Sequence, residues 1–168
     1  SWIPLGPTPG YYFSYTNISG RTVTAMYDPA NPNTIYIGCA YGGVWKSTNG
    51  GVNWQAKSDY TVSMSSGAIT IDPGNSNIIY YGTGEATYSG ASYYGRGMLK
   101  SIDGGNTWTN YTAGLPSSTY CSRLIIRPDS TNILFAAMGT SGLYKSTNAG
   151  VSWVSILSGR CDDVVQTP

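Results

Sequence analysis

GGVWKSTNGGVNW (42–54), GRGMLKSIDGGNTW (95–108) and SGLYKSTNAGVSW (141–153) are three versions of one segment within a chain of 168 residues. Their closing tryptophans, Trp54, Trp108 and Trp153, lie 54 and 45 residues apart. A second signal precedes each copy: TAMYDP (24–29), AITIDP (68–73) and LIIRP (124–128), with a fourth, DVVQTP, at 163–168. From the proline of this anchor to the box tryptophan the count is 25 residues, then 35, then 25. The middle copy therefore carries a ten-residue insertion between anchor and box. Repetition on this period is the first thing to read, because it sets the architecture.

Each copy has the same strand grammar. The anchor is apolar and β-branched and ends at proline, which donates no ladder hydrogen bond and so closes a strand. A turn holding Asn33, Asn77 or Asn132 follows. Next come the very apolar runs TIYIGC (34–39), IIYYGT (78–83) and ILFAAM (133–138). A third strand carries Lys46, Lys100 or Lys145 at matched positions, and a fourth leaves the box tryptophan. Four strands in about 45 residues make one blade of a β-propeller. The expected fold is all-β. Residues 1–18 read as a closing strand and a crossing loop, and 19–61, 62–116 and 117–159 as three four-stranded blades. The insertion at 84–96 lies in the second blade, and 160–168 reads as the inner strand of a further one. Three blades fall short of the usual four to eight. Two explanations stay open: a longer propeller chain, or neighbouring copies that complete one another.

Composition agrees with strands and removes several functions. Charged residues are 10%, against about 25% in ordinary soluble domains. Glycine is 22 and tyrosine 15, but glutamate is 1 and histidine 0. Without histidine, Ser-His-Asp and Cys-His catalysis and His-ligated metals are excluded. A net charge of +1 with no Lys/Arg block gives no electrostatic footprint for nucleic acid. No apolar run approaches the ~18 residues of a membrane span. Neither a cofactor nor a metal is expected. The low charge and the sequons at Asn17 and Asn110 point to an extracellular or cell-surface protein.

The box has a structural job. Asn49, Asp103 and Asn148 can each accept a backbone N–H within their own turn. The glycines Gly51, Gly105 and Gly150 suit a positive φ. Ser47, Ser101 and Ser146 open the boxes, and Trp54, Trp108 and Trp153 supply apolar area between sheets. A turn with one carboxylate or none lacks the hard oxygens that calcium needs.

These boxes match S-x-(D/N)-x-G-x-x-W, and with them the chain resembles the Asp-box propellers of the sialidase (BNR) repeat type. That group includes sialidases, xyloglucanase-type glycoside hydrolases, sortilin-type receptor domains and a photosystem assembly factor. The nearest likeness is to large secreted microbial propellers with Gly82-Thr83-Gly84-Glu85 and a tyrosine-rich stretch before a box. The resemblance implies that the boxes lie far from the active face. It also implies an Asp close before Gly-Gly in the first blade of the xyloglucanase type; the matching stretch here is Cys39-Ala40-Tyr41-Gly42-Gly43, with Ala40 where that Asp would fall. The sialidase type implies an arginine triad. Here Arg21 and Arg160 fall eight before an anchor proline and Arg123 five before, so these three are candidates to line one end of the channel. No pair of carboxylates, as glycoside hydrolysis requires, can be assembled.

The insertion is the most functional-looking segment. It holds Glu85, Tyr88, Tyr93, Tyr94 and Arg96. Long loops on rigid scaffolds often carry binding, and tyrosine rings suit sugar faces and protein partners alike. Glu85 reads as a loop-ordering acceptor. Cys121 and Cys161, both seven before an anchor proline, are candidates for a disulfide, and Cys39 reads as a buried small hydrophobe. Taken together, the sequence points to a non-catalytic propeller module that binds glycan or its own copies. The alternative is the N-terminal part of a glycoside hydrolase with its catalytic groups mainly elsewhere.

Overall fold

The computed structural model describes residues 10–12, 15–18, 20–87, 90 and 92–166. Among them every regular element is a strand. The first two, β1 (Gly10–Tyr12) and β2 (Tyr15–Ile18), pair as an antiparallel hairpin. The crossing loop expected here is therefore a short ladder, while the closing strand proposed before it lies outside the described residues.

Three four-stranded antiparallel sheets follow in chain order. Sheet I is β3 (Thr22–Asp28), β4 (Asn31–Cys39), β5 (Gly43–Ser47) and β6 (Gln55–Ala56). Sheet II is β7 (Ser66–Asp72), β8 (Asn75–Thr83), β9 (Met98–Ser101) and β10 (Thr109–Tyr111). Sheet III is β11 (Arg123–Ile126), β12 (Leu134–Ala137), β13 (Leu143–Ser146) and β14 (Val154–Leu157). Each sheet runs as a simple meander, so its strands are neighbours in sequence and in space. The first strands face one another, with β7 between β3 and β11. All seven residues of β7 are accordingly buried. Beyond sheet III the expected inner strand at 160–168 does not form within 160–166. Cys161 alone bridges to Gly139, and 162–166 has no ladder partner among the described residues.

Two apolar clusters fill the seams. Between sheets I and II lie Tyr36, Val44, Ile69, Ile71, Ile79, Tyr81 and Leu99. Between sheets II and III lie Tyr80, Met98, Cys121, Leu124, Leu134, Met138 and Trp153, among others. Burying side chains of this size contributes about 1.5–3 kcal/mol each.

The boxes fold alike. Gly51, Gly105 and Gly150 donate their amides to Ser47, Ser101 and Ser146 Oγ at 2.9, 2.8 and 3.0 Å. Those hydroxyls donate to Asn49, Asp103 and Asn148 Oδ1, which also take the amides of Asn53, Thr107 and Ser152. The residue before each glycine has a second role. The amides of Gly50, Gly104 and Ala149 bond back to the carbonyls of Asn33, Asn77 and Asn132 in the same sheet. The carbonyl of Gly104 accepts Tyr36 Oη at 3.1 Å and Lys46 Nζ at 3.2 Å from sheet I. The carbonyl of Ala149 accepts Tyr80 Oη and Lys100 Nζ from sheet II, both at 3.1 Å. Each ammonium also sits 5.1 Å from the centre of the tyrosine ring beside it. Burial lowers the pKa of both lysines and raises that of both tyrosines. A two-donor lock thus joins each sheet to the box of the next.

Candidate functional site

A meander places its turns at alternating ends. The boxes lie at one end of the strands. The β4–β5 and β8–β9 loops and the connections between sheets lie at the other. At that second end a hollow of about 380 Å³ is lined by Tyr41, Thr61–Ser65, Tyr93, Tyr94 and Arg96. Tyr41 comes from the β4–β5 loop, and Tyr93, Tyr94 and Arg96 from the inserted β8–β9 loop. Two tyrosine pairs stand here. Tyr41 and Tyr93 have ring centres 4.5 Å apart, and Tyr94 stacks on Tyr120 at 4.7 Å with the planes 21° apart. Tyr41, Tyr93 and Tyr94 are exposed at 65%, 49% and 61%. Such surface is unusual unless something covers it.

The inserted loop is pinned at its base. Gly84 donates its amide to Ser65 O at 2.8 Å, Gly95 to Thr119 O at 2.8 Å, and Arg96 to Thr83 Oγ1 at 2.7 Å. Glu85 is fully buried beneath the loop. Its amide donates to Tyr93 O and Ser65 Oγ, and its carboxylate accepts Arg21 and Thr87. Its Oε2 is buried with no hydrogen-bond partner among the described residues. The chain's single glutamate therefore orders the floor of the hollow and does not enter it.

The three candidate channel arginines do not share a ligand-binding centre. Arg21 pairs with Glu85, Arg123 with Asp163 at 3.5 Å and Arg160 with Asp162 at 2.6 Å. Arg127 is held by Asp129. Of the five arginines, Arg96 alone has no ion pair among the described residues. Tyr88 lies outside them, as does the side chain of Asn17. Asn110 is exposed in β10.

The expected Cys121–Cys161 disulfide is not formed, and all three cysteines are free thiols. Cys121 points into the seam between sheets II and III, against Gly82, where a larger residue would overlap its sulfur. Cys161 lies beyond β12, with its amide on Gly139 O at 2.8 Å. Cys121 is thus enclosed in a seam, whereas Cys161 is partly exposed at the far side of sheet III. Burial pushes the Cys121 thiol up to about 12, so it behaves as a small apolar group. Cys39, read as buried, is partly exposed. No group of three metal-ligating side chains occurs among the described residues.

Sequence reasoning missed Tyr41 and Tyr120. Tyr41 stands directly before Gly42-Gly43, one residue past Ala40, and its ring is the only signal there that marks a contact surface. Tyr120 lies in an irregular segment with no periodic signal.

A second hollow, of about 460 Å³, opens at the outer rim between sheets I and II. Lys57–Val62, Asn106, Thr107 and Trp108 line it. Trp108 Nε1 donates across it to Lys57 O, and Tyr60 stands wholly in solvent.

No protein-family model matches the chain. A xyloglucanase of Hypocrea jecorina (strain QM6a) is 29% identical over 130 residues, covering 77% of this chain and 12% of that protein. A xyloglucanase of a Paenibacillus species is 24% identical over 145 residues, covering 79% of this chain and 14% of the relative. The chain thus spans about one-eighth of the length of the curated relatives it matches. The crystal structure of an ancestral GH74 enzyme superposes with a TM-score of 0.69 at 26% identity, over 95% of this chain and 20% of that one. With three meandering four-stranded sheets around neighbouring first strands, the fold is of β-propeller type.

Proposed function

We propose that the chain is three blades of an extracellular, Asp-box, carbohydrate-binding propeller of xyloglucanase type, and that it supplies a glycan-contact face and not the catalytic carboxylates. The paired tyrosines around the hollow carry this reading. Tyr41, Tyr93 and Tyr94 are exposed, one pair is stacked and the other tilted, and Tyr93 and Tyr94 stand on a pinned loop, as suits the apolar faces of sugar rings. The xyloglucanase relatives support a carbohydrate as the ligand. Hydrolysis requires two carboxylates flanking one bond, about 5–10 Å apart. The lining of the hollow contains none, and Ala40 stands where the resemblance implies an Asp. Glu85 is committed to Arg21. Should the whole protein be a glycoside hydrolase, its acid and base belong to other parts of it.

Affinity electrophoresis in gels containing xyloglucan or other plant polysaccharides tests this. The chain should be retarded, and Tyr41→Ala or Tyr93→Ala should abolish most of the retardation while far-UV circular dichroism stays unchanged. Incubation with the same polysaccharide should release no reducing ends. A folded chain that migrates freely through every polysaccharide would refute the glycan reading. Release of reducing ends would refute the non-catalytic one.

A further inference from the structure

We infer that the tyrosine hollow takes a saccharide carrying a carboxylate, a uronate, with Arg96 as the group that selects it. This inference rests on the glycan reading above and adds the charge of the ligand.

Four of the five arginines are held by a carboxylate of this chain: Arg21 by Glu85, Arg123 by Asp163, Arg127 by Asp129 and Arg160 by Asp162. Arg96 differs. Its side chain is exposed on the wall of the hollow, and it makes no ion pair or side-chain hydrogen bond among the described residues. Its backbone is fixed, since its amide donates to Thr83 Oγ1 at 2.7 Å and the neighbouring Gly95 amide to Thr119 O. The guanidinium is therefore mounted on a rigid base, with its donors unspent on any described residue.

The surroundings set the charge of the partner. No Asp or Glu lines the hollow. The nearest carboxylate in the loop, Glu85, lies under the floor and is already neutralised by Arg21. The hollow thus presents one net positive charge, three tyrosine rings around it and the mixed edge Thr61–Ser65. Arginine donates a planar fork that fits a carboxylate in bidentate fashion. Rings beside the fork suit the flat C–H faces of a pyranose. A volume of about 380 Å³ falls within the range of small-ligand sites. A pyranose with a carboxylate at its edge satisfies both requirements. A neutral sugar would leave the arginine donors to water, and a simple inorganic anion would leave the tyrosines uncovered.

Isothermal titration of the chain with tetragalacturonate and with cellotetraose, at low and at moderate salt, decides the matter. Tetragalacturonate should bind about tenfold tighter, the value expected of one charge-assisted contact near the surface. Salt should erode that advantage. Arg96→Gln should abolish that advantage while the thermal midpoint stays unchanged, and Arg96→Lys should keep part of it. Equal binding of the two tetrasaccharides, or a galacturonate preference that survives Arg96→Gln, would overturn the inference and leave the glycan reading standing. Competition by inorganic phosphate or by a peptide carboxylate as strong as by galacturonate would overturn the saccharide class. Failure of a folded chain to bind either tetrasaccharide would overturn this inference, and free migration through every polysaccharide gel would overturn the glycan reading beneath it.

Discussion

The seam between sheets I and II and the seam between sheets II and III share one lock and differ in how they close. In both, a tyrosine and a lysine of one sheet converge on a box carbonyl of the next. At the outer rim the two part company. Trp153 is 3% exposed and bonds to its own Gly150 O, with the Ala113 carbonyl on its amide. Trp108 is only partly buried, reaches across to Lys57 O and borders the 460 Å³ hollow. One position accounts for much of this. Six residues after the box tryptophan, the second connection has Gly114, at φ +84°, where a methyl would overlap the Trp153 carbonyl oxygen. The first connection has Tyr60, which no such contact could hold, and its ring stands in water. Leu115 then packs into the second seam, whereas the matched residue is Thr61. A backbone able to lie flat on the tryptophan closes the rim, and a side chain at that point opens it.

The largest effect should come from disturbing the closed rim. Gly114→Ala must relieve a backbone overlap at a positive φ, and should cost about 2–4 kcal/mol in urea unfolding. Alanine at the open-rim position, Tyr60→Ala, should cost under about 0.5 kcal/mol. Comparable losses for the two variants would mean that Gly114 does not close the seam.

A smaller change tests what the seams have in common. Tyr36→Phe and Tyr80→Phe each remove one donor to a box carbonyl that a lysine still serves. Each should lose about 1 kcal/mol, and the two should agree closely. A large disparity in the unfolding midpoints would show that the lock is not equivalent in the two seams.

The smallest effect belongs to the boxes. Hydrogen bonds from the Thr107 amide and hydroxyl, with help from Ser101 and Asn106, pull the Asp103 carboxyl down from 3.8 to about 2. A depressed folded-state value means that its contribution is present above the ordinary carboxyl pKa and lost as pH falls through about 2. Wild type should therefore lose stability relative to Asp103→Asn between about pH 4 and 2, with the two nearly level at neutral pH. Thermal midpoints that stay parallel across that window would show that the carboxylate adds nothing the Asn49 and Asn148 boxes lack.

Much of the fold was legible in the sequence because it depends on local and periodic features. Proline ends the anchor strands, β-branched runs form the second strands, and Ser-x-Asx-x-Gly closes a turn with its own side chains. The ten-residue offset before Trp108 also located the loop that bears Tyr93, Tyr94 and Arg96. What lay beyond reading was set by three-dimensional neighbours. The pairing of Arg21 with Glu85 joins residues 64 apart. The Cys121–Cys161 expectation failed because Cys121 is enclosed between sheets II and III while Cys161 lies partly exposed beyond β12. Tyr41 and Tyr120 became visible only when two loops met their partners.

The lock has a bearing on how such chains change length over time. Its donors sit on one flank of a repeat and its acceptor on the other. Duplication or loss of one whole repeat by recombination would regenerate a complete junction on both sides, with no second mutation needed. Sheet III shows how far that rule can drift: Lys145 lies 5.7 Å from the ring of Phe135, which lacks the hydroxyl. A neighbour next to this sheet would be gripped by the ammonium alone.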